Sequence, residues 1–428
     1  MENTTGGIYI ELKKVARSVK WSIQYAYDKT ISRKAFRIRK FDKIVRKNPV
    51  RFTIWANRDG VTDQLAVFRF FYKVGRSLGL SYCYTPVYSE RSVPIDSDIS
   101  EHSEDVLEQI GFKQILRELH DEQCNAEEEI VTFDLDRVKF TRRVIDSYDT
   151  VLMEIKSLLS DRITSKKPVT VRFKGSPSVF WLYRLSVENR KSDPQLLKYL
   201  PKKVSDWETD NKIRMLIHIR QGDTAIIRTP WNPAIPIWYA NPGSYREHGE
   251  NDMLDDSENI DPDEYLSFLK ALFSEIDESE VSTRLFSDGY RRAFRLIEKH
   301  PSLNFTDHQQ SELKQLEENI DEDKFKGFYQ FRNCRVSIGE DTDKLEQLIR
   351  SFLECDLVVT GTQAKLIPKL TTLFRYGEMM PVMVLLYREK RPHIDYLGLP
   401  EDDERVIFAD LENLNIPEIA ERIRRLTS

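Results

Sequence analysis

From about residue 50 onward, two periods alternate in the hydrophobic pattern. Apolar runs such as Phe52–Ala56 and Ile213–Ile219 predict strands, while apolar residues three or four apart in Leu65–Leu78 predict a helix. The same criteria predict further strands at 82–84, 130–133, 169–173, 284–286, 335–338, 356–359 and 382–386. They predict further helices at 104–120, 141–160, from 179, and at 263–276, 290–298, 343–353, 363–374 and 416–426. Such alternation is typical of parallel sheets covered by helices.

A charged segment, Asp193–Trp207, interrupts this alternation and contains Pro194 and Pro201. At about 150 residues per domain, a chain of 428 residues is expected to form two or three domains. We therefore predict a basic extension at 1–48, an N-terminal α/β domain at 49–205 and a C-terminal α/β domain at 206–428. In such folds, ligands bind beyond the carboxyl ends of the strands, so functional residues are expected there.

Charge is close to balanced overall and uneven locally. The chain has 65 Lys and Arg against 70 Asp and Glu, a net charge of −5, which argues against a dedicated nucleic-acid binder. Residues 1–48 carry 13 basic and four acidic residues, a local net charge of +9, with apolar residues at helical spacing at 12, 15, 19 and 23. This pattern fits a helix packed on its own domain with a solvated basic face, and also a basic amphipathic helix on an anionic membrane.

The cysteines and the apolar runs bear on the compartment. Cys83, Cys124, Cys334 and Cys355 have neither metal-ligand nor redox spacing, so we expect no disulfide framework and a reducing compartment. No run reaches the roughly 18 apolar residues of a membrane span, and the N-terminus lacks the apolar core of a signal peptide. These features predict a cytoplasmic chain, with peripheral membrane contact as a further expectation.

The strongest candidate site follows the strand Ile213–Ile219. His218 and Arg220 lie two residues apart on one face, and Gly222-Asp223 follow directly. A guanidinium at the carboxyl end of a strand can bind a phosphate bidentately, and Gly222 lets the backbone turn tightly. Asp223 would cap that turn or hold Arg220 in position. The alternative is a strand with a buried histidine and a surface arginine.

Three further segments place polar residues after predicted strands. Ser287-Asp288 follows one strand and Thr360-Gly361-Thr362-Gln363 follows another, before a predicted helix whose free N–H groups would make an anion site. Near the N-terminus, a turn with Gly60, Asp63 and Gln64 precedes a helix. Each has a structural alternative, namely helix capping by Asp288, by the threonines, or by Thr62 or Asp63.

Taken together and in this order, the four segments resemble the fucosyltransferase superfamily, which includes α1,2- and α1,6-fucosyltransferases and protein O-fucosyltransferases. These are GT-B enzymes that use GDP-fucose. The resemblance implies two Rossmann-type α/β domains facing a central cleft, with the donor bound by the C-terminal domain. It assigns Arg220 to the β-phosphate and the 360–363 loop to the phosphates, and an acid at Asp288 suits the N1–H and amine of guanine. The chain departs from the family at Thr62, Ala364 and Lys365.

The predicted activity is therefore metal-independent, inverting transfer of fucose or a related sugar from a GDP-sugar to a glycan, protein or lipid-linked acceptor. Arg220 would stabilise the leaving diphosphate, and Asp63, facing the cleft, is the candidate base, with His218 a lesser candidate. No cofactor, metal or nucleic acid is assigned, because the several Asp-x-Asp strings are expected by chance among 70 acids. The aromatic and acidic loop 224–262 fits either an acceptor lid or an acidic surface loop. The alternative function is a non-catalytic GT-B-like protein that binds a nucleotide or glycan.

Overall fold

The computed structural model describes thirteen main stretches of the chain and several isolated positions. The stretches are 33–48, 50–55, 61–84, 129–138, 148–163, 168–175, 213–221, 260–298, 304–339, 342–362, 366–375, 380–388 and 403–427; the isolated positions are 207, 226–227, 229, 231, 235–236, 364 and 399. The chain forms two compact units, and each unit contains a parallel sheet. The predicted α/β class is confirmed.

A four-stranded parallel sheet, in the order β2-β1-β4-β3, organises the first unit. Its strands are β1 (Val50–Ile54), β2 (Ser81–Tyr82), β3 (Glu129–Asp134) and β4 (Val169–Lys174). Its helices are α1 (Arg33–Lys47), α3 (Tyr148–Arg162) and most of α2 (Val61–Ser77). Among the described residues of this part of the chain, the four predicted strands and the predicted helices at 65–78 and 141–160 are present, with different ends.

Aromatic rings fill the core of the first unit. Phe52 of β1 lies 5.2 Å from Tyr82 and 5.8 Å from Phe173 between ring centroids. Helix α2 approaches this strand at Gly75, where an added Cβ would stand 2.5 Å from the Phe52 ring. Glycine is therefore required at this position for the helix to pack so closely on the sheet.

The second unit contains a six-stranded parallel sheet and a short antiparallel pair. The strands of the large sheet are β5 (Ile213–Ile219), β8 (Val281–Ser287), β9 (Cys334–Ile338), β10 (Leu357–Gly361), β11 (Val382–Tyr387) and β12 (Val406–Asp410), and the pair is β6 (Ile226–Ile227) with β7 (Ile235–Pro236). The helices are α4 (Pro262–Glu275), α5 (Arg291–Glu298), α6 (Asp307–Phe325), α7 (Thr342–Glu354), α8 (Leu366–Phe374) and α9 (Ile416–Thr427).

The large sheet has the strand order β12-β11-β10-β5-β8-β9. Numbered within the unit, this is 3-2-1-4-5-6 read from β9, the order of the Rossmann fold. Strand β5 lies inside the sheet, and Met215–Ile219 are all buried. A near-continuous apolar strand is expected where helices cover both faces of a parallel sheet.

Four elements of the second unit were not predicted from the sequence, namely α6, β12 and the short antiparallel strands β6 and β7. Helix α6 is largely polar, and only Leu313, Ile320 and Phe325 are buried in it. The predicted helices at 104–120 and from 179 lie outside the described residues, as does the segment 193–206. The domain boundaries at 48 and 205 stay predictions.

One sequence expectation about cysteine is wrong. Cys83 is disulfide-bonded, and its partner lies outside the described residues. Cys334 and Cys355 are free thiols. The expectation of a reducing compartment rested on the absence of disulfides, and the Cys83 bond removes that ground because disulfides persist mainly in oxidising compartments. Within the described part of the chain, no helix has the length and apolar character needed to cross a membrane.

Candidate functional site

Three of the sequence-predicted segments lie side by side at one edge of the large sheet. Strand β5 pairs with β10 on one side and with β8 on the other, all in parallel. His218 is in register with Thr360 of β10, and Ile219 is in register with Ser287 of β8. The carboxyl ends of the three strands are therefore adjacent, although their segments are far apart in the sequence.

The strand order reverses between β5 and β10. The chain runs from β5 to β8 and β9 on one side, and from β10 to β11 and β12 on the other. Connections that leave neighbouring strands in opposite directions open a crevice outside their carboxyl ends, which is where ligands bind in open α/β sheets. His218-Arg220 and Thr360–Thr362 border this position, so the sequence motifs and the topology point to the same place.

A buried hydrogen bond joins the two strands at the reversal. The Thr360 hydroxyl donates to the His218 carbonyl oxygen at 2.9 Å, and the Thr360 side chain is fully buried. The phenol of Tyr265 in α4 is buried beside Gly361 and Thr360, and this burial raises its pKa. Thr360 therefore fixes β10 to β5, and the Tyr265 phenol of α4 lies beside it.

The turn after β5 is tied to the end of β8. The backbone N–H of Gln221 donates to Asp288 Oδ1 at 2.7 Å. The Gln221 side chain, fully buried, donates from Nε2 to the carbonyl of Ile260, just before α4. Arg220, half-buried, directly precedes this anchored residue. Asp288 thus helps to set the course of the backbone that carries Arg220.

A second acidic residue, Asp321 of α6, lies at the start of α5. Its Oδ1 accepts the N–H of Tyr290 at 2.9 Å, while the Ser287 hydroxyl accepts the N–H of Gly289 at 3.1 Å. Burial, and then the nearby carboxylates with Asp261 first, raises the pKa of the Tyr290 phenol. The helix-capping alternative assigned the start of α5 to Asp288. In the structure, Asp288 accepts the amide of Gln221, and Asp321 accepts the amide of Tyr290 at the start of α5.

Some polar groups of the loop after β10 form hydrogen bonds within the protein. The N–H of Thr362 donates to the Leu386 carbonyl at 3.1 Å, and the N–H of Ala364 donates to the Gly361 carbonyl at 3.0 Å. Helix α8 begins at Leu366, a few residues later than predicted. The Thr360 hydroxyl and the Thr362 amide are therefore occupied by β5 and β11 in this structure.

Arg388 is a candidate that sequence reasoning missed. It follows β11 at the same edge of the sheet, one strand beyond β10, and forms a bidentate ion pair with Glu264 in the first turn of α4. The two contacts are 2.7 Å from Nε to Oε1 and 2.5 Å from Nη2 to Oε2. An arginine directly after an apolar strand was the available signal, because the carboxyl end of such a strand faces the ligand crevice.

Several predicted site residues lie outside the described residues. These are Gly60, Gly222, Asp223 and Gln363, together with the side chains of Asp63 and Gln64. Helix α2 begins at Val61, so Asp63 lies in its first turn. In the loop 224–262, Trp231 is half-buried and packs on Phe305 at 5.5 Å between centroids, against the core of the second unit.

The Asp-x-Asp strings at 261/263 and 321/323 have partners within the fold. Lys324 contacts both Asp261 and Asp263 at 3.0 and 3.1 Å, and Asp323 pairs with Lys326 at 3.0 Å. Asp261 is also the N-cap of α4, in a capping box with Glu264. Among the described residues, no group of three or more His, Cys, Asp or Glu side chains is placed to hold a metal ion.

Comparison with known proteins finds similarity to solved structures, and no match to a family model or a curated protein. Among solved structures, POFUT1 in complex with GDP-fucose is similar over 79% of this chain and 98% of that chain, with 9% identity and a TM-score of 0.39. POFUT1 in complex with GDP is similar over the same shares, with 9% identity and a TM-score of 0.34. The apo form is similar over 76% and 95%, with 7% identity and a TM-score of 0.35.

Proposed function

We propose that the chain is a glycosyltransferase that transfers fucose or a related sugar from a GDP-sugar to a glycan, protein or lipid-linked acceptor. The observation that carries this proposal is that Arg220 and the 360–362 loop lie at the carboxyl ends of the two strands at the strand-order reversal of a Rossmann-type sheet, with Asp288 after the neighbouring strand β8. That position is where such sheets bind nucleotides.

In this proposal, Arg220 binds the diphosphate of the donor. As the bond between the sugar C1 and the diphosphate oxygen breaks, negative charge builds up on the leaving group. A fixed guanidinium at the end of β5 stabilises that charge without a metal ion. Arg388 supplies a second positive charge at the same edge, partly neutralised by Glu264.

Asp288 has two tasks in the proposal. One oxygen accepts the amide of Gln221 and so positions the turn that carries Arg220. The other oxygen accepts from the N1–H or the amine of guanine, which would select GDP over other nucleotides. His218, Gly222, Asp223, Ser287, Gly361, Thr362 and Gln363 complete the donor site, with Thr360 acting through its bond to His218.

The acceptor hydroxyl must lose a proton as it attacks C1 from the face opposite the diphosphate. Asp63, in the first turn of α2, is the proposed base, because a carboxylate can take that proton, and Gly60 and Gln64 belong to the same proposed segment. The new bond joins the acceptor oxygen to C1, and attack from the opposite face inverts the anomeric configuration. Asp63→Asn is expected to abolish transfer while GDP binding remains.

Nucleotide selectivity tests the donor site directly. Thermal unfolding is followed with GDP, UDP, ADP and CMP, for the wild type and for Arg220→Ala. At a concentration about 100 times Kd, a ligand stabilises the native state by roughly 2.7 kcal/mol. We expect a shift with GDP that Arg220→Ala loses. No GDP shift, or the same shift in Arg220→Ala, would refute the proposed site.

Arg425→Ala is the matched control for Arg220→Ala. Its guanidinium is 61% exposed in α9, where it pairs with Glu404 at 3.5 Å, a contact worth little to stability. Arg425→Ala removes a guanidinium that lies away from the carboxyl edge of the sheet, so the shift with GDP should be unchanged.

The second candidate function is nucleotide or glycan binding without turnover. The sequence departures at Thr62, Ala364 and Lys365 permit it, because they fall in two of the segments assigned to the site. Release of GDP from a GDP-sugar in the presence of mixed glycan and protein acceptors separates the two functions. Binding of GDP without its release from any donor would support the non-catalytic alternative.

A further inference from the structure

Helix α1 has two faces of different character. Ala35, Ile38 and Phe41 are buried, and the helix packs on α3. Ion pairs flank this apolar contact, with Lys34 to Glu154 at 2.6 Å and Arg37 to Asp161 at 3.1 Å among them. Asp42, the one acidic residue of α1, pairs with Lys156 of α3 at 2.7 Å. The acidic partners described for α1 therefore all lie at the face that packs on its own unit.

The opposite face of α1 is basic. At 100° per residue, its residues fall within an arc of about 140°. We call this set the basic face of α1: Arg33, Phe36, Arg39, Lys40, Lys43, Arg46 and Lys47. Six of its seven residues are Lys or Arg and none is acidic. All are exposed except Lys40, which is half-buried.

Phe36 lies in the middle of this face. Its side chain is 71% exposed, the highest exposure among the large hydrophobic side chains described. An exposed aromatic ring surrounded by lysines and arginines is the pattern of a helix that lies in the plane of an anionic bilayer, with the ring among the acyl chains and the cations at the phosphates. Packing on α3 holds the helix with this face outward.

We propose that the basic face of α1 docks on the surface of an anionic lipid bilayer. Charge complementarity and Phe36 favour a bilayer over a duplex nucleic acid, because a duplex surface gives an apolar ring of this exposure no apolar phase to enter. The net charge of −5 for the whole chain also argues against a general polyanion binder. The proposal does not depend on the donor site, which lies in the other unit.

Co-sedimentation with vesicles tests the proposal. The vesicles contain phosphatidylcholine alone or phosphatidylcholine with phosphatidylserine, and the protein is the full chain. We expect binding to the anionic vesicles only, weakened by about tenfold or more in Lys43→Glu/Lys47→Glu. The control Lys270→Glu/Lys314→Glu changes the net charge equally at exposed lysines of α4 and α6, and it should bind like the wild type.

The contribution of the Phe36 ring is tested with a matched pair of variants. Phe36→Ala is expected to weaken vesicle binding several-fold, while Tyr329→Ala, which removes a ring 61% exposed in the second unit, leaves it unchanged. Thermal unfolding and the GDP shift of each variant report whether both units remain folded. Equal binding by the wild type and Lys43→Glu/Lys47→Glu, an equal loss in the lysine control, or binding to RNA but not to anionic vesicles would overturn the proposal.

Discussion

Removing the Asp288 carboxylate should weaken GDP binding through the turn that carries Arg220. In the structure, Asp288 Oδ1 accepts the Gln221 N–H at 2.7 Å and joins the ends of β8 and β5. Asp288→Ala deletes this bond. The turn must then be ordered when the nucleotide binds, so part of the binding free energy is lost.

The strength of the hydrogen bond between Asp288 and Gln221 determines how much GDP affinity should be lost. A hydrogen bond to a charged group contributes about 1.5–3 kcal/mol, and the half-exposed Asp288 belongs at the lower end of that range. Since about 1.4 kcal/mol is tenfold in affinity, Asp288→Ala should weaken GDP binding about tenfold. Asp288→Asn keeps an acceptor oxygen for Gln221 but replaces the second carboxylate oxygen with a donor, so it separates positioning from base recognition.

Isothermal titration with GDP and with pyrophosphate distinguishes the two tasks of Asp288. A positioning role weakens both ligands equally in Asp288→Ala. Base recognition weakens GDP in Asp288→Asn and leaves pyrophosphate unchanged. Asp403→Ala is the control, because Asp403 Oδ1 accepts the amide of Arg405 at 2.9 Å just before β12. If Asp288→Ala binds GDP like the wild type, the positioning argument is wrong.

Three further predictions concern the same unit. Gly289 has φ +65°, and an added Cβ would stand 3.0 Å from the Asp321 carboxylate, so Gly289→Ala should destabilise by about 1–2 kcal/mol in urea unfolding; an unchanged midpoint would contradict this. Thr360→Val leaves the His218 carbonyl without its hydroxyl donor and should cost about 1–3 kcal/mol, and Thr360→Ser should restore most of it. Burial raises the pKa of the Cys355 thiol from 9.0 to about 11, so native alkylation at pH 8 should be far slower than in urea. Because the unfolded thiol ionises first, stability should fall as pH rises from about 9 to 11.

The strands of the second unit were predictable wherever burial is continuous. Ile213–Ile219 is mostly apolar, with Met215–Ile219 all buried because β5 is covered on both faces, and the structure has the predicted bounds. Helix α6 was missed because it exposes most of its surface and buries only a few apolar side chains. Its one local signal was the capping box of Thr306 with Gln309, which the hydrophobic period alone does not contain.

The candidate site was predictable as separate motifs and not as an arrangement. Arg220 and Asp288 could each be assigned to a strand end, but their proximity depends on strand order, which local periodicity does not encode. Arg388 was overlooked because its meaning comes from Glu264, 124 positions earlier in the chain. Cys83 was misjudged because spacing in the sequence carries no information about a disulfide partner that folding brings near.

The central place of β5 has a consequence for the synthesis of the protein. His218 and its partner Thr360 are separated by 142 positions. At 5–20 residues per second, the ribosome needs roughly 7 to 28 seconds to make the intervening chain. During this interval, the apolar strand β5 can pair with β8 but has an open edge where β10 will later add, and such an edge is a template for aggregation. The nascent chain is therefore expected to require chaperone protection until β10 has emerged and closed the sheet.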